Sequence, residues 1–226
     1  MRNALRIVAA SFGIAAALAG LEHGYFEILQ GDVPPNSLMI FSMGPPCEPK
    51  TIWNACEPAM TIVPSFLITG VLAIVTSVII LIWSAAFIQR KHGGLMLMLL
   101  CIPVLLFGGG IFPPVIGFIG GLVGTKINAP LTWWRARFSG PGGRFLARLW
   151  PWPLVIFLAW TLAGQWIVGH FFNDFMLENA WLVPLLVIGL LVVAVLTGFA
   201  YEVQKESGSH QSPSMVNGRP VSPVHS

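Results

Sequence analysis

Residues Gly93 to Gly124 form a continuous apolar segment that reads GGLMLMLLCIPVLLFGGGIFPPVIGFIGGLVG. It carries no charged residue and is long enough for one membrane-spanning helix of about 20 residues. Helix-breaking residues interrupt it near the middle, namely Gly108, Gly109, Gly110, Pro113 and Pro114. Because glycine and proline at this density break helices, the stretch forms either one interrupted crossing or a helical hairpin.

The composition indicates which solvent surrounds most of the chain. Apolar residues make up 55% of the 226 residues, charged residues only 9%, and the mean hydropathy is +0.77. A soluble domain carries about a quarter charged residues, because water must solvate its surface. We therefore predict that most of the chain is surrounded by a lipid bilayer. The sequence has no long Lys/Arg tract and no nucleic-acid-binding motif, so its net charge of +3 does not indicate a nucleic acid partner.

Four further segments are apolar and long enough to cross a bilayer core of about 30 Å as helices. They cover approximately residues 4–29, 59–88, 151–172 and 180–203. The predicted fold is therefore all-α, a polytopic transmembrane helix bundle with four full spans plus a broken Gly/Pro-rich hairpin over 93–124. The tail 204–226 is rich in Ser, Pro and Gly, which predicts a disordered segment.

The distribution of basic residues predicts the orientation and favours the hairpin, because cytoplasmic loops carry the excess of Lys and Arg. Arg2 and Arg6 place the N-terminus in the cytoplasm, and the second span is followed by Arg90 and Lys91. A hairpin over 93–124 keeps the next five basic residues on the same side, whereas a single crossing would put all five outside: Lys126, Arg135, Arg137, Arg144 and Arg148.

We therefore predict a multi-pass protein of the plasma membrane with both termini in the cytoplasm and an outer loop over 30–58. Each hairpin arm has about 15 residues, or about 22 Å of helix, which is short for a full crossing. A tightly packed hairpin follows, either crossing fully or re-entrant. Residues 1–19 also have the features of a signal peptide, with a cleavage motif at Ala17-Leu18-Ala19, and cleavage would remove the first span.

The segment 126–150 mixes aromatic and basic residues around a Gly/Pro-rich turn. This pattern predicts interfacial helices on the inner leaflet that are attracted by anionic lipids, with an ordinary basic loop as the alternative. The residues predicted at this interface are Arg135, Arg137, Arg144, Arg148, Trp133, Trp134, Trp150 and Trp152.

The outer loop contains two cysteines in a near-repeat, Cys47-Glu48-Pro49 and Cys56-Glu57-Pro58. An extracytoplasmic pair of cysteines in an oxidising compartment usually forms a disulfide. We predict a structural disulfide between Cys47 and Cys56, with a catalytic dithiol as the alternative.

Two His/carboxylate pairs lie at the predicted outer ends of two spans. His23 precedes Glu27 by four residues and His170 precedes Asp174 by four, so each pair shares one helix face. The four side chains could ligate zinc, iron or manganese, and the two histidines could be axial ligands of a haem. The alternatives are polar helix ends that simply meet headgroups and water, and a proton or ion pathway.

The sequence contains no phosphate-binding loop, no serine-nucleophile elbow and no repeated His-rich boxes. We therefore favour a non-enzymatic membrane component, namely an assembly, accessory or regulatory subunit, with further copies of itself or another membrane protein as partner. A small oligomeric transporter or channel that uses the broken hairpin is the second hypothesis. An outer-face metal- or haem-binding enzyme is the third.

Overall fold

The computed structural model describes residues 3–41, 53, 57–211, 215–216 and 219–220. This part of the chain is mostly helical and contains nine helices. They are α1 (Asn3–Gln30), α2 (Phe66–Phe87), α3 (Gly93–Leu106), α4 (Phe112–Gly124), α5 (Thr132–Phe138), α6 (Pro141–Leu149), α7 (Trp152–Phe171), α8 (Asn173–Glu178) and α9 (Leu182–Gln211). Two short antiparallel ribbons pair β1 (Met39–Phe41) with β2 (Pro58–Met60), and β3 (Met215–Val216) with β4 (Arg219–Pro220).

Four of these helices, α1, α2, α7 and α9, are long and apolar enough to cross a membrane, which confirms the four predicted spans by length and composition. The second span begins later than predicted, at Phe66 rather than near residue 59. Its start is fixed by Ser65, whose hydroxyl accepts from the Ile68 N–H and donates to Asp32. A serine at this position satisfies a backbone donor that the first helical turn leaves unpaired.

Helices α3 and α4 form the two arms of a hairpin whose turn lies at 107–111. Gly108 and Gly110 have φ angles of +84° and +82°, a conformation that residues with a Cβ rarely adopt. The arms pack backbone against backbone, since a Cβ added at Gly94 would overlap the Gly121 carbonyl oxygen. Small residues thus allow the close approach of the arms that their spacing predicted.

Helix α1 is the central element of the bundle, because it packs on α2, α4 and α9. Its contact with α2 depends on small residues, and a Cβ on Gly70 would lie 2.5 Å from the Gly24 carbonyl oxygen. On the same face of α1, one helical turn before Gly24, Gly20 lies against Ser77 of α2. In α1, about 56% of its apolar 18-residue stretch is buried inside the protein, whereas the corresponding share in α7 is 17%. Helix α7 is therefore the most exposed of the four long helices.

The hairpin runs beside most of α1. Gly120 of α4 lies against the Ala9 carbonyl oxygen, and Gly108 in the turn lies against the Glu27 carboxylate. These two contacts are 18 residues apart along α1, or about 27 Å of helix axis. The arms therefore match the first span over most of its length and do not stop halfway along it.

The two ends of the bundle differ in their packing. At the terminal end, where α1 starts, the Ala4 N–H donates to the buried carboxylate of Glu202 in α9 at 2.6 Å. Nearby, the rings of Phe12 and Phe157 pack with centroids 4.9 Å apart. The loop end is the opposite end, where α1 stops, α3 turns into α4 and strand β2 lies. At the loop end, α1 stays in close contact with α2 and with the hairpin turn, but a cavity opens between α1, α4, α7 and α9.

The last long helix extends into the segment 204–226, whose composition predicts disorder. Helix α9 continues to Gln211, and β3 pairs with β4 beyond it. The extra helical turns have partners on α5, since Gln204 bonds the Phe138 carbonyl and Glu206 pairs with Arg135 at 2.7 Å. These tertiary contacts stabilise a helix that the composition alone does not favour.

The predicted interfacial segment forms α5 and α6, and both helices pack on α9. Trp134 stacks on Phe199 with centroids 3.9 Å apart, and Trp150 lies over Gly198. These two tryptophans contact protein, and Arg135 pairs with Glu206. The other predicted interface residues are exposed, namely Trp133, Trp152, Arg137, Arg144 and Arg148.

Candidate functional site

A cavity of about 810 Å³ lies at the loop end between α1, α4, α7 and α9. Small side chains of α1, such as Ala15 and Ala19, face this cavity. On α1 the cavity wall is formed by residues at positions i, i+3, i+4 and i+7, which form one helix face: Ala15, Leu18, Ala19 and Glu22.

Most of the cavity wall is apolar. Besides the α1 face, this wall is formed by Phe112, Ile116, Leu162, Val183 and Val187. Several of the large side chains remain exposed, including Leu18 at 39%, Phe112 at 46% and Leu162 at 48%. The cavity is therefore open, and its apolar wall is not covered by the described part of the chain.

Polar side chains converge at one end of the cavity. Glu22 and His23 come from α1, Gln165 comes from α7, and Glu57 comes from the loop between β1 and α2. His23 is almost fully buried, and its Nε2 lies 3.2 Å from Glu57 Oε2, whose side chain is 32% exposed. This contact is an ion pair when the imidazole is protonated and a hydrogen bond when it is a neutral donor.

Two described residues of the loop between β1 and β2, Trp53 and Glu57, cover the polar end of the cavity. Trp53 packs on Gly169 of α7, and its backbone N–H donates to Asn173 Oδ1 at 2.8 Å. Trp53, Glu57 and Pro58 all line the cavity. Glu57 thus contacts the α1 side of the cavity, and Trp53 contacts the α7 side.

The hairpin turn is held between α1 and the same loop. The Gly108 N–H donates to the Met60 carbonyl at 2.8 Å, and the Ile62 N–H donates to the Leu106 carbonyl at 3.1 Å. A Cβ on Gly110 would lie 2.6 Å from His23 Nε2. The turn that the sequence predicted from its glycines therefore packs directly on the His23 side of α1.

Glu27 lies one helical turn beyond His23 and is fully buried. Its carboxylate packs on Gly108, and neither oxygen has a hydrogen-bond partner within the described residues. Burying an ionised carboxylate without donors or a counter-charge is unfavourable by several kcal/mol. Between α1 and the hairpin, the Glu27 carboxylate is therefore buried without a hydrogen-bond donor among the described residues.

The four residues of the predicted metal site do not converge. His23 and Glu27 are buried, whereas His170 and Asp174 are exposed near the end of α7 and on α8. Glu27 faces the hairpin turn and not α7. Across the described ranges, no group of three or more His, Cys, Asp or Glu side chains could hold a metal ion. This arrangement gives no support to the metal or haem hypothesis.

The predicted disulfide cannot be compared with the structure, since Cys47 and Cys56 lie outside the described residues. The remaining cysteine, Cys101 of α3, is buried and packs against Gly117 of α4. The disulfide stays a prediction from the sequence.

Sequence reasoning missed the cavity and most of its polar end. Glu22, Glu57 and Gln165 were not candidate site residues, although a signal for Glu22 exists. It shares a helix face with Ala15, Leu18 and Ala19, so the face changes from apolar to acidic near the loop end. For Glu57 and Gln165 the sequence contains no comparable signal.

No protein-family model matches this chain, and neither a curated protein nor a solved structure is significantly similar to it. The function is therefore inferred from the cavity and from the residues that line it.

Proposed function

We propose that this protein is a membrane component that binds an amphipathic, lipid-like molecule in the cavity at its loop end. The observation that supports this proposal is the cavity itself, whose volume of about 810 Å³ is that of a small-molecule site. Such sites have volumes of roughly 300–1,000 Å³, lie between the helices of bundles and combine apolar walls with a few polar groups.

The distribution of polar groups supports an amphipathic ligand. The apolar wall formed by Ala15, Leu18 and Ile116 would contact a hydrocarbon chain, and the end formed by Glu22 and Gln165 would contact a polar head. Water in an apolar cavity lacks the polar partners it needs, so a hydrocarbon chain is the better occupant of the deep part. Because lipid is as apolar as these side chains, the polar end must supply most of the selectivity.

A protein that binds a ligand without catalysing a reaction is a non-enzymatic membrane component, the class that the sequence favoured. A transporter would need a second opening towards the terminal end, where Phe12 packs on Phe157. We retain the predicted orientation, in which the loop end faces outward, so the ligand would enter from the outer half of the plasma membrane.

Filling the cavity tests the proposal. We expect Ala19→Phe to weaken binding of a fluorescent single-chain amphiphile about tenfold or more, because the new ring occupies ligand space. Binding would be titrated with the purified protein in nanodiscs of zwitterionic lipid. Ala163→Phe is the matched control, since Ala163 is exposed on α7 beside the lining residue Leu162 but does not line the cavity. Equal affinities of the two variants would contradict the proposal, as would saturable binding that neither variant changes.

A further inference from the structure

We infer that the cavity selects an amphiphile with a cationic head group, an amine or a quaternary ammonium. The inference rests on the proposed function and adds the chemical class of the ligand. It depends on the charges, the aromatic rings and the amide that the fold brings together at the polar end.

The charged groups at the polar end give it a negative charge. Glu22, Glu57 and His23 line the cavity, whereas no Lys or Arg of the described residues does. With both carboxylates ionised, the net charge of this set is −2 with a neutral imidazole and −1 with a protonated one. In both states the potential attracts a cation, and the low-dielectric helices around the cavity strengthen it.

Of the two carboxylates, Glu22 is better placed to meet the ligand. Glu57 already contacts the buried imidazole of His23 at 3.2 Å. Glu22 is half-buried and ends the apolar face that begins at Ala15, seven residues or about 10.5 Å earlier on α1. A hydrocarbon chain along this face would therefore carry its head group to the Glu22 carboxylate.

Two aromatic rings lie at the same end and come from different elements. Trp53 belongs to the covering loop and Trp166 to α7, and both line the cavity. The face of a tryptophan ring attracts a cation within about 6 Å, and aromatic residues are a common means of binding quaternary ammonium groups. Gln165 adds an amide oxygen that can accept from the N–H of an amine.

The same groups disfavour an anionic head. A phosphate, sulfate or carboxylate would face Glu22 and Glu57 with no lysine or arginine among the described lining residues to neutralise it. Like charges at a binding site lower the affinity for the wrong ligand and so create specificity. The two carboxylates therefore both attract a cationic amphiphile and repel an anionic one.

The test compares three amphiphiles with the same dodecyl chain: dodecyltrimethylammonium, dodecyl maltoside and dodecyl sulfate. Each would displace the fluorescent probe from the protein in zwitterionic nanodiscs, below its micelle concentration and corrected for partition into empty nanodiscs. We expect the cationic compound to bind about tenfold more tightly than the neutral one, and dodecyl sulfate to bind most weakly.

Variants assign the preference to the cavity. Glu22→Gln should remove most of the cationic preference, measured as the ratio of the affinities for dodecyltrimethylammonium and dodecyl maltoside. Glu178→Gln is the matched control, because Glu178 is exposed on α8 near the loop end and does not line the cavity. Thermal unfolding of both variants would verify that they are folded.

Each result has a distinct meaning. Three results would overturn the head-group inference and leave the proposed function standing. They are equal displacement by the three compounds, a preference for dodecyl sulfate, and a cationic preference that survives Glu22→Gln. A fluorescent probe that binds equally well to Ala19→Phe and the unmodified protein would overturn the proposed function, and the head-group inference with it.

Discussion

At the scale of single residues, position 108 requires glycine for two separate reasons. Its φ angle of +84° lies in the left-handed region, and its Cα faces the Glu27 carboxylate so closely that a Cβ would overlap both oxygens. The first requirement is conformational and the second is steric. Gly31 shares only the first, with a φ angle of +81° and open space around it.

Comparing alanine at these two glycines separates the two effects. Gly31→Ala should lower the free energy of unfolding by about 1 kcal/mol, the usual strain of the left-handed conformation. Gly108→Ala should cost about 1–3 kcal/mol more, because the packed carboxylate cannot move without disturbing α1 or the hairpin. Chemical denaturation in detergent, followed by circular dichroism, measures both.

A double variant provides the control. With Glu27→Ala as the reference, adding Gly108→Ala should cost only the conformational strain, because the overlapping carboxylate is gone. If the two single variants lost equal stability, Glu27 would not pack on the turn as the structure has it.

The residue scale also shows where sequence reasoning reaches its limit. The spacing of His23 and Glu27 correctly put both on one face of α1, and the glycine run correctly predicted a turn at 108–110. Helical periodicity fixes how residues relate within one helix, but it does not say which neighbour that face meets. The partner of Glu27 is therefore the hairpin, whereas the metal hypothesis required a neighbour carrying His170.

At the scale of elements, the contact of α1 with α2 depends on the close approach of their backbones. A Cβ on Gly70 would lie 2.5 Å from the Gly24 carbonyl oxygen, so the helices would have to separate. Packing at such short range is a main source of stability between helices in lipid, where no hydrophobic effect drives them together.

Two glycine substitutions should therefore differ in their effect on the stability of the protein. Gly70→Ala should destabilise the protein by about 1–3 kcal/mol through overpacking. Gly189→Ala in α9 should be neutral or stabilising by up to about 1 kcal/mol, since a Cβ there meets nothing within 4 Å and alanine favours the helix. Thermal unfolding in one detergent compares them. A destabilisation of similar size in both variants would mean that the close contact between α1 and α2 contributes little.

Sequence patterns predicted the existence of the elements better than their ends. The apolar residues before Phe66 were assigned to the second span, yet Pro58–Met60 pairs with β1. The polar composition after residue 203 predicted disorder, yet α9 continues because Gln204 and Glu206 have partners on α5. Both differences come from contacts between segments that are distant in sequence, which composition does not encode.

At the scale of the whole molecule, the charges predict which end faces the cytoplasm. The test is the labelling of single cysteines in a variant with Cys47 and Cys56 replaced by serine. Ser37→Cys, exposed near the loop end, should react with a membrane-impermeant maleimide in intact cells. Lys205→Cys, exposed in the last part of α9, should react only after the membrane is permeabilised. The reverse pattern would show an inverted protein, and labelling of both in intact cells would place both residues outside.

The cavity belongs to this scale and could not have been predicted. Composition and apolar length are sufficient to predict a bundle of membrane helices, because they depend only on the solvent. The cavity depends on how α1 and α4 are placed against α7 and α9, and the first pair is remote from the second in the chain. Its polar end also needs Glu57 from the covering loop, whose position no periodicity determines.

The bond between the Ala4 N–H and Glu202 has a consequence for biosynthesis, because its partners are 198 residues apart in the chain. Helix α1 is synthesised first, and this N–H can meet its Glu202 partner only after most of α9 has been made. A nascent chain that stalls before α9 therefore lacks the hydrogen bond that joins the first helix to the last long one.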